Sequence, residues 1–221
     1  MTIYTISMKK KRMSRTAGTL FGVIALLVSS AAVAETAEVA RSAPERIIEE
    51  TVTQVVAVLG DKSRSSEQRR AELEVIARQR FDFRSMSRLV LARNWKRFSK
   101  AQQSEFVEVF TRYLANDYGS RLERYDQEQV EVLGERQEPR GDVTVKTAIV
   151  GGENDGALVD YRMRDRKSQW KIIDVVIEGI SLVANFRDQF RDVIARSGPE
   201  GLLAKLNAKN RRETASGSAA Q

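Results

Sequence analysis

The amino-acid sequence predicts an α+β fold in a single domain, with an antiparallel sheet of four or five strands packed against several helices. Three observations support this prediction. Apolar residues recur with a helical period from Pro44 to Leu59, after Ser66 and from Ser99 to Tyr118, with the strand period from Val130 to Ile177, and with a helical period again after Ser181. The turns between the predicted strands are too short for crossover helices, so neighbouring strands should run antiparallel. A chain of 221 residues is long enough for one domain with a substantial core.

The first 34 residues have the three parts of a secretory signal peptide. Basic residues between Lys9 and Arg15 precede an apolar region, Leu20 to Val28, that is too short to span a bilayer easily, and Ala32-Val-Ala34 has the pattern of a cleavage site. An uncleaved anchor helix is the alternative interpretation. We therefore expect cleavage of residues 1–34, a folded domain over residues 35–209, and a disordered tail over the small and polar residues 210–221.

Most of the net positive charge of the chain comes from this first segment. It holds five of the 37 Lys and Arg residues and none of the 30 Asp and Glu residues, so the net charge falls from +7 for the whole chain to +2 without it. Later basic clusters such as Arg162 to Lys167 alternate with Asp160 and Asp165. Mixed charge of this kind is typical of a solvated surface, whereas nucleic-acid binding requires uncompensated Lys and Arg. We expect no nucleic-acid partner.

The chain contains neither cysteine nor histidine. Folding therefore cannot depend on a disulfide, although an exported chain could form one. The absence of histidine removes the commonest general base, the commonest metal ligand and every Ser-His or Cys-His nucleophile pair. This composition favours a binding protein over an enzyme, and we expect neither a cofactor nor a metal.

The helices are predicted first. Pro44 suits the first turn of a helix because it lacks an N–H group, and Gly60 ends that helix. A second helix begins at Ser66, and Ser99 is a predicted N-cap for a long third helix. The apolar side of the long helix carries Phe106, Val109, Phe110, Tyr113, Leu114 and Tyr118. An apolar helical stripe of this kind is more often core than a ligand site, and both interpretations stay open here.

The strands follow. The first contains Val130 and Val132, the second runs from Val143 to Val150, and the third begins at Leu158. The turn between the second and third is rich in glycine, asparagine and aspartate, which tolerate positive φ angles. The fourth strand, Trp170 to Ile177, consists mostly of β-branched or aromatic residues, so it should be buried over much of both faces.

The fourth strand passes directly into a helix. Glu178-Gly179 interrupts the strand pattern, and the Ser181 hydroxyl can cap the helix that follows. This helix should end at Ser197-Gly198, and Pro199 should begin another. The strand, the corner and the helix are therefore joined too tightly to separate, and we expect a ligand to be held against this corner.

Carboxylates are the main catalytic groups that this composition leaves, and Asp174 with Glu178 is the best candidate pair. Residues four apart on a strand lie roughly 13 Å apart, which exceeds the ~5 to 10 Å separation of a two-carboxylate glycosidase site. We therefore favour a structural role, in which these carboxylates accept hydrogen bonds from backbone N–H groups or an arginine. An acid–base role is the alternative.

The chain has more large apolar side chains than a compact core requires. They lie on the long helix, between Phe81 and Trp95, on alternate strand positions and at Ile180. An apolar cavity between the sheet and the helices would use this surplus. An acyl chain gains about 0.8 kcal/mol per methylene on leaving water, so enclosed acyl chains need no charged site.

Four segments then resemble the MlaC family of periplasmic phospholipid-binding proteins. They are Met86 to Phe106, Phe110 to Gly119, Trp170 to Leu182 and Ser197 to Leu206. The third contains the signature Trp-x3-Asp-x3-Glu-Gly-x-Ser, which is fairly specific. The resemblance runs in order over almost the whole chain after the signal segment, and this chain departs from the family mainly in an arginine-rich surface and a polar tail.

The resemblance implies a monomeric phospholipid carrier in the periplasm of a Gram-negative bacterium. Its partners would be phospholipid, the MCE-protein ring of an inner-membrane ABC transporter and an outer-membrane lipoprotein–porin complex, and its role would be to maintain outer-membrane lipid asymmetry. The acyl chains would enter the cavity, with the head group near solvent. By similarity Tyr118 and Ile180 line this cavity. The apolar pattern adds Phe110, Leu114, Val145, Tyr161 and Val176.

Two other classes of function remain open. The first is a small α+β enzyme of the cyclase or isomerase type that uses Asp174 or Glu178, which the missing histidine disfavours. The second is a periplasmic adaptor with a filled core and no ligand. We expect the carrier, and no enzymatic activity.

Overall fold

The computed structural model describes residues 41–122 and 128–219, which belong to one compact unit. Side chains are described for residues 41–119, 128–212 of these ranges. The predicted signal segment 1–34 and residues 35–40 of the predicted domain lie outside the described residues. Within the described ranges, no helix is both long and apolar enough to cross a membrane.

The N-terminal half is helical, as the sequence predicts. The helices are α1 (Ala43–Gly60), α2 (Ser66–Arg80), α3 (Phe83–Leu91), a 3-10 helix (Ala92–Arg97) and α4 (Lys100–Leu122). Serine capping boxes begin three of them, because Ser42, Ser65 and Ser99 each exchange hydrogen bonds with the residue three positions later. The predicted starts at Pro44, Ser66 and Ser99 are therefore confirmed to within a residue or two.

The sheet is an antiparallel meander with the strand order β1-β2-β3-β4-β5. This confirms the predicted α+β class and the upper of the two predicted strand numbers. The connections are hairpins, so each strand pairs with its neighbour in sequence. The strands are β1 (Gln129–Gln137), β2 (Val143–Val150), β3 (Leu158–Asp165), β4 (Trp170–Ile177) and β5 (Ile180–Ser181).

The corner after β4 differs in detail from the prediction. Glu178 and Gly179 have φ angles of 50° and 78°, and they form a two-residue turn that folds β5 back onto β4. Two successive positive φ angles suit a tight hairpin whose twist matches that of the strands. Ser181 still caps the following helix, since its Oγ accepts a hydrogen bond from the N–H of Ala184 at 3.0 Å.

The C-terminal helix α5 (Leu182–Ala219) is interrupted once, at Gly198. This residue has a φ of 64°, and Pro199 follows it, so the predicted break is confirmed. The predicted tail boundary requires a correction, because the helix continues past residue 209. Asn210 is only 3% exposed, and its side-chain amide donates to the carbonyl of Val109 at 3.0 Å. Its polar character serves this buried hydrogen bond rather than disorder.

The buried apolar residues form two clusters. The larger one lies among α3, α4 and α5, and the smaller one lies between the sheet and α1. Phe81 and Leu182 pack against both clusters, so they join the helical layer to the sheet. Phe81 also pairs with Ile172 of β4 in an isolated bridge, which fixes the chain between α2 and α3 at the sheet.

A buried carboxylate fixes the start of β2 to β3. Asp142 is fully buried, and it accepts hydrogen bonds from Arg164 at 2.6 and 2.7 Å and from Arg162 at 2.8 Å. Burial alone would raise the pKa of Asp142, but the hydrogen bonds and charges of Arg164 and Arg162 outweigh burial and lower the pKa below its ordinary value.

We expect Asp142→Asn to destabilise the protein by about 2–4 kcal/mol, because it leaves two partly buried guanidinium groups without their carboxylate. Urea unfolding at neutral pH measures the change. Because the folded-state pKa is lowered, the wild-type advantage should be present above the unfolded-state pKa of 3.8 and disappear as the pH falls through the lower folded-state value.

The control is Asp188→Asn, which removes an exposed partner of Arg191 and should cost less than about 0.5 kcal/mol. An equal effect of the two substitutions would contradict the structural role assigned to Asp142.

Candidate functional site

One face of the sheet is apolar and lies beneath α1. The strand register places Val145, Tyr161 and Val175 in one row across β2, β3 and β4. A second row on the same face runs from Thr147 through Val159 and Ile177 to Ile180. Helix α1 covers this face with Ile47, Ile48 and Val52, because these residues recur at helical spacing along one side of it.

Helix α1 covers the apolar face of the sheet only in part. Val145 is fully buried and Ile48 is 1% exposed, whereas other apolar side chains on the same cluster remain only partly buried. Apolar surface of this kind has a free energy cost in water that a hydrophobic ligand would remove. The partly buried members include Ile47, Val52, Val132, Val159, Tyr161 and Ile177.

Tyr161 lies at the middle of this face. Burial raises the pKa of its phenol to about 12, although the ring keeps some accessible surface. The phenol stays neutral at any physiological pH, so this part of the face carries no charge.

The structure brings three of the predicted pocket residues to this face. Val145 forms part of its buried floor, and Tyr161 lies beside it. Ile180 is 46% exposed at the edge of the sheet, opposite Ile177. Val176 lies between Val175 and Ile177 and therefore points to the opposite face. An enclosed apolar cavity over the face stays a prediction.

The three predicted residues of α4 lie in the larger, helical cluster. Phe110 is 1% exposed and Leu114 is 8% exposed, and Tyr118 packs against the same cluster. The Phe110 ring contacts three other phenylalanine rings at centroid distances of 5.4 to 5.8 Å. The interpretation of this stripe as core therefore accounts for Phe110 and Leu114, and a ligand contact at these positions stays a prediction.

Sequence reasoning placed Ile47, Val52, Val159 and Ile177 in helices and strands but did not assign them to the site. The signal was present for the strand residues, since Val159 and Ile177 have the same alternation as Tyr161 and Val175. The position of α1 over this face has no such signal, because periodicity shows that a helix has an apolar side but not which partner that side contacts.

The opposite face of the sheet carries charged and polar side chains together with apolar ones such as Val176. A cavity of about 340 Å³ lies there, beside the first turn of α5. The cavity is lined by both acidic and basic side chains, so it does not present a strong potential of one sign to a ligand. The lining includes Arg136, Glu138, Asp160, Arg162, Asp174, Val176 and Arg187.

Asp174 and Glu178 have the structural role that the sequence favours. Asp174 accepts hydrogen bonds from the Ser181 hydroxyl at 2.6 Å and from the N–H of Val183 at 3.0 Å. Glu178 accepts a hydrogen bond from the N–H of Leu158 at 2.5 Å. Burial raises the pKa of Asp174, and the hydrogen bonds from Ser181 and Val183 oppose this shift. Both carboxylates are engaged in holding the corner.

Within the described part of the chain, no group of three or more Asp or Glu residues is placed to bind a metal ion. The chemistry that the arrangement offers is therefore hydrophobic contact on one sheet face and charge pairing on the other.

These features define an α+β protein in which one helix partly covers an apolar sheet face. The chain belongs to the MlaC protein family, whose model matches residues 49–208. The match spans α1 to the last part of α5, so it includes every residue of the apolar face except Ile47 and Ile48.

The chain is also similar to individual proteins. It is 27% identical over 170 residues to the toluene tolerance protein ttg2D of Pseudomonas putida, covering 72% of this chain and 77% of that protein. It is 20% identical over 123 residues to the intermembrane phospholipid transport system binding protein MlaC of Haemophilus influenzae, covering 53% of this chain and 56% of that protein.

A solved structure has the same fold. A phospholipid-binding protein from Ralstonia solanacearum, determined in complex with a phospholipid, matches with a TM-score of 0.69 and 23% identity, over 77% of this chain and 98% of that one. This likeness extends the agreement from sequence to the arrangement of helices and strands.

We expect Asp174→Ala to cost about 2–4 kcal/mol, because the Ser181 hydroxyl and the buried N–H of Val183 lose their acceptor. Chemical denaturation measures the change. Glu178→Ala removes one exposed acceptor at the same corner and should cost less than about 1 kcal/mol. If the two substitutions cost the same, Asp174 does not hold the corner.

Proposed function

We propose that this protein is a phospholipid carrier that binds acyl chains against the apolar face of its sheet. The observation that carries the proposal is the set of partly buried apolar side chains on the sheet face beneath α1, which includes Val159, Tyr161 and Ile177. Membership of the MlaC family supports it, as do a relative that is named for phospholipid transport and a structural neighbour that was solved with phospholipid.

Hydrophobic contact is sufficient for such a ligand. Each methylene transferred from water to an apolar site gains about 0.8 kcal/mol, so an acyl chain needs a long apolar surface rather than a specific polar contact. The neutral Tyr161 phenol and the apolar side chains around it, among them Val145, Val159 and Ile177, favour acyl chains over a polar ligand. The head group would lie near solvent, towards the exposed edge at Ile180.

A carrier function also accounts for the chemistry that the site lacks. The chain has no histidine or cysteine, and the carboxylates at the corner are hydrogen-bonded to the fold. Binding and release require neither a general base nor a nucleophile. We therefore propose transport without catalysis and without a cofactor.

The proposed setting is the periplasm of a Gram-negative bacterium. The secretory pattern of residues 1–34 supports export, although those residues lie outside the described structure. The carrier would exchange phospholipid between an outer-membrane lipoprotein–porin complex and the MCE-protein ring of an inner-membrane ABC transporter, and would thereby maintain outer-membrane lipid asymmetry. The family membership supports this finer assignment.

The substitution that tests cargo binding is Ile180→Glu. A carboxylate at the edge of the apolar face would place charge beside the acyl chains, so we expect at least a fivefold loss of phospholipid that copurifies with the protein. Lipid extraction followed by mass spectrometry measures the phospholipid, and circular dichroism verifies the fold.

Leu158→Glu is the matched control. Leu158 is 47% exposed, close to the 46% of Ile180, but it precedes Val159 and points to the opposite face. We expect its phospholipid content to equal that of the wild type. Folded wild-type protein that carries no phospholipid would overturn the proposal, and equal losses in the two variants would overturn the assignment of the apolar face.

A further inference from the structure

A second cavity, of about 430 Å³, lies between the α3 and 3-10 helix segment and the end of β3. We call it the basic pocket, because four of its lining residues carry a positive charge and none carries a negative one. Its polar and aromatic lining residues are Ser85, Arg88, Trp95, Lys96, Arg164 and Arg166.

Two of these cations are held in place by carboxylates behind the pocket. Arg164 makes a two-point contact with the buried Asp142. Arg166 pairs with Asp82 at 3.1 Å and also donates to the Ser85 hydroxyl. Paired guanidinium groups of this kind have a fixed orientation, so a ligand would lose little of their side-chain entropy on binding.

The other two cations are not neutralised. Arg88 and Lys96 are both exposed, and neither side chain makes a hydrogen bond or an ion pair within the described part of the chain. The pocket therefore keeps about two uncompensated positive charges. Trp95 is only partly buried beside them, and Arg84 lies 6.0 Å from the centre of its ring.

The positive charge extends beyond the pocket. Between Phe83 and Ser104 the chain has six Lys and Arg residues and no Asp or Glu residue. The sequence of the whole chain after its signal segment is nearly neutral, so this run is a local surface feature. Its members are Arg84, Arg88, Arg93, Lys96, Arg97 and Lys100.

The pocket lies away from the apolar face. Met163 is fully buried in the sheet cluster, so its neighbour Arg164 points to the opposite face of β3. A head group of cargo bound on the apolar face would therefore not occupy the basic pocket. The basic pocket is available to a second ligand while cargo is bound.

A membrane surface is a poor match for this pocket. Peripheral binding to a bilayer generally combines cations with exposed apolar side chains that enter the interface. The large exposed apolar residues of the described structure are Val75, Leu133, Val150, Leu158 and Ile180, and none belongs to α3 or the 3-10 helix. The concave shape and the long cationic run suit an extended chain with several carboxylates.

We propose that the basic pocket is a docking site for an acidic segment of a partner protein that exchanges cargo with this carrier. This proposal rests on the proposed function for the role of the partner. Glu and Asp side chains would pair with Arg88 and Lys96, next to Trp95, while Arg164 and Arg166 shape the pocket.

A fluorescence titration tests the proposal. The chain has two tryptophans, so a Trp170→Phe background leaves Trp95 as the reporter within the pocket. The probe is a short poly-glutamate peptide, titrated into the full chain at low ionic strength and at about 0.15 M. In the Arg88→Gln/Lys96→Gln variant we expect about tenfold weaker binding and a smaller dependence on salt.

The matched control is Arg112→Gln/Lys205→Gln. It removes the same charge from exposed positions on α4 and α5 outside the pocket, and it should change binding by less than about twofold. Equal losses in the two double variants would overturn the proposal, because they would indicate attraction to net charge alone.

Two further measurements separate the alternatives. Stronger binding to anionic phospholipid vesicles than to the peptide, lost in Arg88→Gln/Lys96→Gln, would overturn protein docking in favour of a membrane. Complete competition by inorganic phosphate at low millimolar concentration would overturn it in favour of a phosphate site. Copurified phospholipid should be unchanged in this variant. Its absence from the wild type would instead contradict the carrier function, whatever the peptide result.

Discussion

The arrangement of this protein depends on one buried carboxylate at the end of the sheet. The oxygens of Asp174 accept hydrogen bonds from Ser181 and Val183, so β4 is fixed to β5 and to the first turn of α5. Burial disfavours the charged form of Asp174, and these hydrogen bonds oppose that cost. Because α5 packs against both α3 and α4, this contact helps to orient the helical layer on the sheet, together with Phe81 and Leu182.

The two apolar clusters differ in how completely their side chains are buried. The helical cluster is closed by interlocking phenylalanine rings, and its members Phe106, Phe110 and Phe190 are almost fully buried. The sheet cluster has a closed floor at Val145 but retains accessible apolar side chains beneath α1. Close packing of the first kind gives stability, whereas the accessible apolar side chains of the sheet cluster leave a surface for a hydrophobic ligand.

The sequence predicted the fold class and most element boundaries because these depend on local signals. Capping serines, the change of period after Tyr125 and the Gly198-Pro199 break are each legible from a few neighbouring residues. The site was less predictable. Val145 and Tyr161 follow from the strand alternation, whereas Phe110 and Leu114 follow from a helical apolar stripe that lies in the closed helical core. Periodicity identifies the buried side of an element, and only the tertiary arrangement decides what that side contacts. Asn210 shows the same limit, since its buried partner lies about a hundred residues away.

Charge adds a constraint that the average composition conceals. The chain without its first segment is almost neutral, yet six basic residues lie between Phe83 and Ser104 without an intervening acid. Burial of Asp142 and the helix-capping role of Asp82 assign both nearby carboxylates to the fold, and Arg88 and Lys96 remain unpaired at the surface. Under the proposed function, the protein has to retain cargo while it approaches a partner and release it afterwards. Apolar contacts on one face of the sheet and cationic contacts on the other would allow the first interaction to persist while the second forms. Strands β3 and β4 contribute side chains to both faces of the sheet, and Asp174 fixes β4 to β5 and α5.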